Sequence, residues 1–294
     1  MTIARAVLYL FLIIVVTAAR ADSPPVLIGI DAEFGVVGST SAQAIRLGAQ
    51  IAVDEINAAG GVLGGRPLAL VDKDDRSVPA RFIKNLQDFA ADPAVVAVLC
   101  GKYSPVVVEA IPEIHQLKLP LLDPWAAADP ITAHDFRPNY IFRLSLRDTW
   151  AMQVMIRHAE RRDVRKIGLL VPNTEWGRSN LKAAETLDQT DPRFAIVDTQ
   201  WFNWGDASLS EQYQILKKAG ADGVILVSNE REGIVFVKEI AALPQEQRLP
   251  IFAAWGITGG NFFAWSGSAL RDVDLAVVQT YSFIGADNPV AERV

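Results

Sequence analysis

The strongest constraint on the fold is a repeated alternation of short apolar runs and helical patterns. Strands are predicted at VLIGI (26–30), PLALV (67–71), VVAVL (95–99), LPLL (119–122) and YIFRL (140–144), then at KIGLLV (166–171), FAIVDTQ (194–200), GVILV (223–227), PIFAA (250–254) and LAVVQ (275–279). Several are almost wholly apolar, the pattern of strands covered on both faces. Between them, apolar residues recur at helical spacing: Ile45, Gly48, Ala49, Ala52 and Ile56; Phe82, Ile83, Leu86 and Ala90; Ala151, Val154, Met155 and His158; Leu209, Tyr213 and Leu216; Ile234, Val237 and Ala241. Strand, helix, strand repeated along 294 residues predicts an α/β fold in two domains, with parallel sheets flanked by helices on both faces.

Four glycines fall within six residues of DEINAAGGVLGGRP (54–67). A phosphate cradle requires strand, glycine loop, then helix, because the free N–H groups stand at a helix start. Here the order is helix 41–58, glycines, strand 67–71. Gly60 is expected to end the helix in a left-handed conformation, and Gly64 and Gly65 to form a tight turn into the strand. With no G-x-G-x-x-G and no G-x-x-x-x-G-K-[ST] elsewhere, nucleotide binding has no support.

Residues 1–21 differ from the rest. Arg5 precedes the apolar run Ala6–Val16, and TAARA follows with small Ala19 and Ala21; this is the pattern of a secretory signal peptide cut after Ala21. The run of about 11 residues is short of the roughly 20 that span a bilayer. Removing 21 residues from 294 leaves 273, and losing Arg5 and Arg20 from 28 basic residues leaves 26 against 34 acidic ones, a net charge of −8. That balance, with no basic cluster interleaved with aromatics, argues against nucleic acid as a partner. Cys100 is the only cysteine, so the core must hold without an internal disulfide, and no cysteine after the cleavage site offers a lipid anchor. A soluble periplasmic protein is expected.

In open parallel sheets, ligands bind beyond the carboxyl ends of the strands. The segments to read are 31–41, DKDDRS (72–77), CGKYS (100–104) and DPWAAADPIT (123–132), then PNTEWGRS (172–179), SNERE (228–232) and WGITGGN (255–261). Catalytic patterns are weak. His115 and His158 fall on predicted helices, no G-x-S-x-G occurs, and metal-ligand spacing is absent. DKDDR lacks the glycine and the glutamate of a calcium loop and reads as a solvated loop end, with Ser77 capping the next helix. Binding features are stronger. Ser104 stands just before a helix with Pro105 at its first position; its hydroxyl can cap that helix and can also share the free N–H groups with a ligand carboxylate. Phe34, Tyr103, Trp125, Trp176 and Trp255 all fall in loops facing one side, where they either close a core or stack against a ligand. Glu33 and Glu230 are candidate partners for a cation, or plain solvated carboxylates, and Asn229 stands beside Glu230 in its loop.

IGIDAEFG, a helix ending AVDEINAAGGVLGGRPLAL, and DDRSVPARFIKNL resemble the start of the type I periplasmic binding proteins, within the leucine/isoleucine/valine- and amide-binding branch that serves ABC transporters. VVAVLCGKYS, LPLLDPWAAADPIT, YIFRLSLRD, KIGLLVPNTEWGRS and GVILV continue the resemblance in order and spacing across nearly the whole mature chain. It implies two Rossmann-like lobes, 22–145 with 278–294 and 146–277, joined by crossing strands and closing about a hinge onto a ligand. The family continues past the return near Gln279, whereas this chain stops at ADNPVAERV, where Asp287, Asn288 and Pro289 look like a helix start; an incomplete first lobe that exposes apolar surface is expected.

By the family pattern, Tyr103 and Ser104, then Trp125, Ala126 and Ala127, hold the carboxylate and amine of an amino acid, and Trp176 matches an aromatic before Gly. Two departures stand out. Ala127 and Ala128 lack the hydroxyl often found after the Ala, and Trp255 replaces a frequent carboxylate. These departures tilt the expected ligand from a branched-chain amino acid toward a bulkier or aromatic compound, an amide or an amine. The resemblance implies a monomeric solute-binding protein that captures an amino acid, amide or related amine or carboxylate for an ABC importer, with a permease in the inner membrane as its partner and no cofactor. The alternative is a sensing module for a membrane receptor. An exported hydrolase is least supported, since no nucleophile, base and orienting group are legible.

Overall fold

A computed structural model of the chain describes residues 24–282 together with Gly285, Pro289 and Glu292. The segment read as a signal peptide lies outside the described residues, as do Asp287 and Asn288. The elements run β1 (Val26–Ala32), α1 (Ser41–Ala58), β2 (Leu68–Asp74), α2 (Pro79–Ala90), β3 (Val95–Cys100), α3 (Ser104–Leu117), β4 (Leu121–Asp123), β5 (Ile141–Arg143), α4 (Asp148–Glu160) and β6 (Lys166–Pro172). They continue α5 (Glu175–Thr190), β7 (Ala195–Phe202), α6 (Ser210–Lys218), β8 (Gly223–Leu226), α7 (Glu230–Ala241), β9 (Ile251–Ala253), α8 (Phe262–Ser266) and β10 (Leu275–Val277). Each segment read as a strand forms one.

The strands make two five-stranded sheets, ordered β2-β1-β3-β4-β5 and β10-β9-β8-β6-β7. Every pairing is parallel. Read from its other edge, the second sheet is β7-β6-β8-β9-β10, so both sheets have the same order. In each, the chain first winds to one side and then reverses, which opens a crevice at the strand tips between β1 and β3 and between β6 and β8.

Helices cover the sheets as the apolar spacing requires. On one face of the first sheet, Phe82, Leu86 and Phe89 of α2 and Val107, Ile111 and Ile114 of α3 pack with Val98, Leu121 and Ile141. The other face carries the smaller cluster of Ile30, Ala32, Ala42 and Ile45. The second sheet is sandwiched more fully: Met152, Met155 and Ala183 pack on one side with Ile167 and Leu169, and Tyr213, Leu216, Phe236 and Ile240 on the other with Val224 and Leu226. The edge strand β5 leaves Phe142 and Leu144 exposed, and Trp150 and Val154 of α4 are exposed as well.

The glycines of 54–67 end α1 and turn the chain. The Gly60 N–H donates to Asn57 O and the Gly61 N–H to Ile56 O, at 3.0 and 2.9 Å, the paired bonds of a Schellman end. Both glycines have positive φ, +108° and +75°. Val62 and Arg66 then bridge antiparallel around Gly64 and Gly65.

The reading of DKDDRS is corrected. β2 runs on through Asp74, and Asp75 is buried rather than solvated. The residue before α2 is Val78, no side chain caps the helix, and Pro79 begins it. Ser77 instead donates its backbone N–H to the Asp75 carboxylate at 2.6 Å. Pro79 supplies a helical φ with no N–H to satisfy, so this helix start needs one cap fewer.

Candidate functional site

One cavity is lined from the tips of six parallel strands. Beyond β3 stand Lys102, Tyr103 and Ser104, beyond β4 Trp125 and Ala127, beyond β6 Trp176, beyond β7 Trp204, beyond β8 Asn229, and beyond β9 Trp255 and Gly256. The lining packs closely, and the cavity it encloses is small, about 10 Å³. The first two strands belong to one sheet and the other four to the second, so the cavity lies between the lobes. A larger hollow of about 480 Å³ lies elsewhere, against α4 and β10, among Val154, Met155, His158, Phe252 and Val277. Arg157 and Arg161 also line it, but it lies against the edge strand β10 rather than at strand tips, where ligands of parallel sheets bind, so it is not the candidate ligand site.

The wall in the first lobe is built around Ser104. Its side chain does not cap its own helix; the expectation of a cap is corrected. The Ser104 Oγ accepts the backbone N–H groups of Ala127 and Ala128, at 3.0 and 3.2 Å. This ties the loop after β4 to the start of α3. The same loop is braced from the crossing segment: Arg143 donates to the Ala126 and Ala128 carbonyls at 3.0 and 2.7 Å, and Ser145 Oγ to the Trp125 carbonyl at 2.8 Å. Ala126 and Ala128 point into the first lobe's core, while Ala127 joins the core cluster of the second. Three consecutive alanines thus fit between two packed surfaces where larger side chains would clash. Asp123 and the only cysteine, Cys100, lie buried beneath, with Sγ 3.6 Å from the carboxylate.

The opposite wall is aromatic. Trp176, at the start of α5, donates its indole N–H to the Asp148 carboxylate at 3.0 Å. Asp148 is fully buried, and burial pushes its carboxyl up to about 7. A Cβ at Gly256 would come within 2.9 Å of the Trp176 ring and 2.8 Å of the Ser228 carbonyl, so the absence of a side chain there lets Trp176 and Asn229 close the wall. Trp204 reaches over from beyond β7 and meets Tyr103 edge to face.

Direct bonds cross between the lobes. The Lys102 ammonium contacts both oxygens of Glu230, at 2.8 and 2.9 Å, with its side chain almost fully buried, and it lies 5.1 Å from the Tyr103 ring centroid. The Gly260 N–H donates to Thr40 Oγ1 at 3.0 Å, and the Asp129 N–H to Ser179 Oγ at 2.9 Å. Burial raises the Tyr103 phenol, and Glu230 and Glu33 raise it further, so it stays protonated.

Of the residues read as candidates, the cavity brings together Tyr103, Ser104, Trp125, Ala127, Trp176, Asn229 and Trp255. Four do not line it. Glu33 is buried, with one oxygen accepting from Ser39 and Ser41; its other oxygen is buried without a partner. Of the two readings of Glu33, a cation partner or a solvated carboxylate, the burial removes the second. Phe34 packs with Ile30, Ala42 and Ile45, Ala126 faces the core, and Glu230 is engaged by Lys102. Three lining residues were not anticipated: Lys102, Trp204 and Gly256. Lys102 sits in the CGKYS loop between β3 and α3, beside Tyr103 and Ser104. The loop after β7, which carries Trp204, is also a strand-to-helix tip, and that position was the available signal.

Residues 27–290 match the family model described as periplasmic binding protein, and the chain belongs to that family, one of binding proteins rather than of enzymes. The Leu/Ile/Val-binding protein homolog 7 of Brucella melitensis is 27% identical over 218 residues, covering 70% of this chain and 52% of the relative. The chain thus spans about half the length of the curated relatives it matches. Among solved structures, a leucine-binding protein from Thermotoga maritima aligns with a TM-score of 0.76 at 17% identity, over 91% of this chain and 73% of that one. A solute-binding protein of an ABC transporter from R. palustris, in complex with 4-hydroxybenzoate, aligns with a TM-score of 0.69 at 17% identity, over 79% and 62%. These likenesses establish the fold of two parallel sheets flanked by helices.

Proposed function

We propose that the protein is a periplasmic solute-binding protein that captures a small ligand between its two lobes and presents it to an ABC importer. The observation that carries this reading is the convergence of six strand tips, two from one sheet and four from the other, on a single cavity lined by aromatic rings. The lobes correspond to 22–145, with the return at 278–294, and to 146–277. A ligand touching both would favour their closed arrangement, because only contacts made better in one state shift the balance between states. Ser104 and Tyr103 would hold its polar end, and the tryptophans its apolar part. The relative named as Leu/Ile/Val-binding and the structures with leucine-binding and 4-hydroxybenzoate titles support a ligand of amino-acid, amide, amine or carboxylate type. The protein acts as a monomer, exported by cleavage after Ala21, with the permease in the inner membrane as its partner.

Thermal melting of the full chain against amino acids, amides, amines and small carboxylates tests the reading. A ligand at 100 times its dissociation constant adds roughly 2.7 kcal/mol of stability. A flat response across the panel, or turnover of any member, contradicts it.

A further inference from the structure

We propose that the cleft selects an aromatic carboxylate that carries no ammonium group, with Lys102 and Ser104 holding the carboxylate and the tryptophans the ring. The proposal rests on the cleft-capture reading above and names the ligand class of that site.

Its ground is a count of the hydrogen-bonding groups at the cavity. Lys102 carries three N–H donors and no acceptor. Two contacts go to the Glu230 oxygens, which leaves one donor on a buried ammonium that lines the cavity. The Ser104 Oγ already accepts two backbone N–H groups. Its own O–H donates to no partner among the described residues, so its proton is left for a ligand. The two donors stand two residues apart at the N-terminal end of α3, where the helix dipole also favours negative charge. An acceptor at this wall gains two charge-assisted or hydroxyl bonds.

Among the residues that line the cavity, no carboxylate stands ready for an ammonium. Asp148 and Asp123 are buried behind the wall, bonded to Trp176 and Trp125, and both oxygens of Glu230 are committed to Lys102. Glu33 does not line the cavity; one oxygen is held by Ser39 and Ser41, and the other is buried without a partner. A bound ammonium would have to displace Lys102 from Glu230, leaving one of two buried cations unpaired, which is strongly unfavourable. The remaining lining is aromatic: Tyr103, Trp125, Trp176, Trp204 and Trp255. Flat π faces match a flat ring better than a branched chain.

The test is thermal melting and titration calorimetry of the full chain with benzoate, phenylacetate, benzamide, phenylalanine, leucine and phenethylamine, repeated on Glu230→Gln and Lys102→Met. Benzoate or phenylacetate is expected to bind at least about tenfold more tightly than benzamide, phenylalanine or phenethylamine. Glu230→Gln, which frees the Lys102 ammonium, is expected to keep or strengthen that binding, and Lys102→Met to abolish it. The Glu230→Gln result does not depend on whether Lys102→Met folds. If phenylalanine, leucine or phenethylamine binds most tightly and Glu230→Gln abolishes that binding, the ligand's ammonium takes the place of Lys102; the selectivity is then wrong while ligand capture stands. If no compound in the panel binds, the reading of the cleft as the ligand site fails with it.

Discussion

The rings of Tyr103 and Trp204 meet edge to face, their centroids 5.1 Å apart and their planes at 64°. Tyr103 stands beyond β3 and Trp204 beyond β7, so the pair spans the cleft and both rings line the cavity. Such pairs contribute about 0.5–1.5 kcal/mol beyond their burial, and this one exists only when the lobes are together. Trp204→Ala is expected to weaken ligand binding roughly 2- to 10-fold by loosening closure, while leaving the melting temperature of the free protein within a few degrees of the parent. Calorimetric titration of the variant checks this; unchanged affinity would mean that Trp204 is no part of the closing surface.

Ser104→Ala removes the acceptor of two backbone N–H groups as well as a donor facing the ligand. Each buried N–H left unpaired costs about 1–3 kcal/mol. The variant is expected to melt several degrees lower and to bind at least about tenfold more weakly. A variant with the parent's melting temperature and affinity would show that neither tie matters.

Stability is expected to fall as pH rises. Burial, helped by the neighbouring Asp75, pushes the Asp31 carboxyl up to about 8. Burial likewise pushes Asp148 to about 7, and Asp75 and Asp123 to about 6. Unfolded aspartates titrate near about 3.9, so between about pH 4 and pH 8 the folded chain binds more protons than the unfolded one. These raised values contribute stability at low pH that is lost as pH climbs through them, and the curve levels off above about pH 8. Asp31→Asn, which retains an oxygen to accept the N–H of Asn85, is expected to flatten the upper part of the decline. Melting temperatures measured across this range check the trend, and a melting temperature that climbs with pH contradicts it.

The helix end at Gly60 and Gly61 separates two costs of a side chain. Both have positive φ, but a Cβ on Gly60 meets nothing within 4 Å, whereas one on Gly61 would lie 2.3 Å from the Arg66 carbonyl. Gly60→Ala is expected to lose roughly 1–2 kcal/mol from the backbone conformation alone, and Gly61→Ala clearly more. Chemical denaturation of the two variants compares them; equal losses would mean that the bridge between Val62 and Arg66 yields freely.

The fold was largely legible because a parallel sheet covered on both faces writes itself as apolar runs such as GVILV, whose Gly223–Leu226 strand is buried throughout. The rule that ligands meet strand tips singled out Tyr103, Ser104, Trp125, Trp176 and Trp255, which the fold gathers around one cavity. What the sequence hid were partnerships across the cleft. Glu230 read as a free carboxylate because Lys102, its partner, is 128 residues away. The serines that hold Glu33 do so only because the loop before α1 folds back on itself, and no pattern of residue types announces that. Ser104 looked like a helix cap because Ser-Pro usually is one, whereas here the packing of the alanine loop claims its oxygen.

A crystal structure of the chain with the tightest-binding compound of the panel tests the central claim most directly. The account predicts that the compound lies between the two sheets, its polar end against Ser104 and its apolar part among Trp125, Trp176 and Trp204. A compound seated in the hollow against α4 and β10, or bound to one lobe alone with the cleft unoccupied, would contradict it.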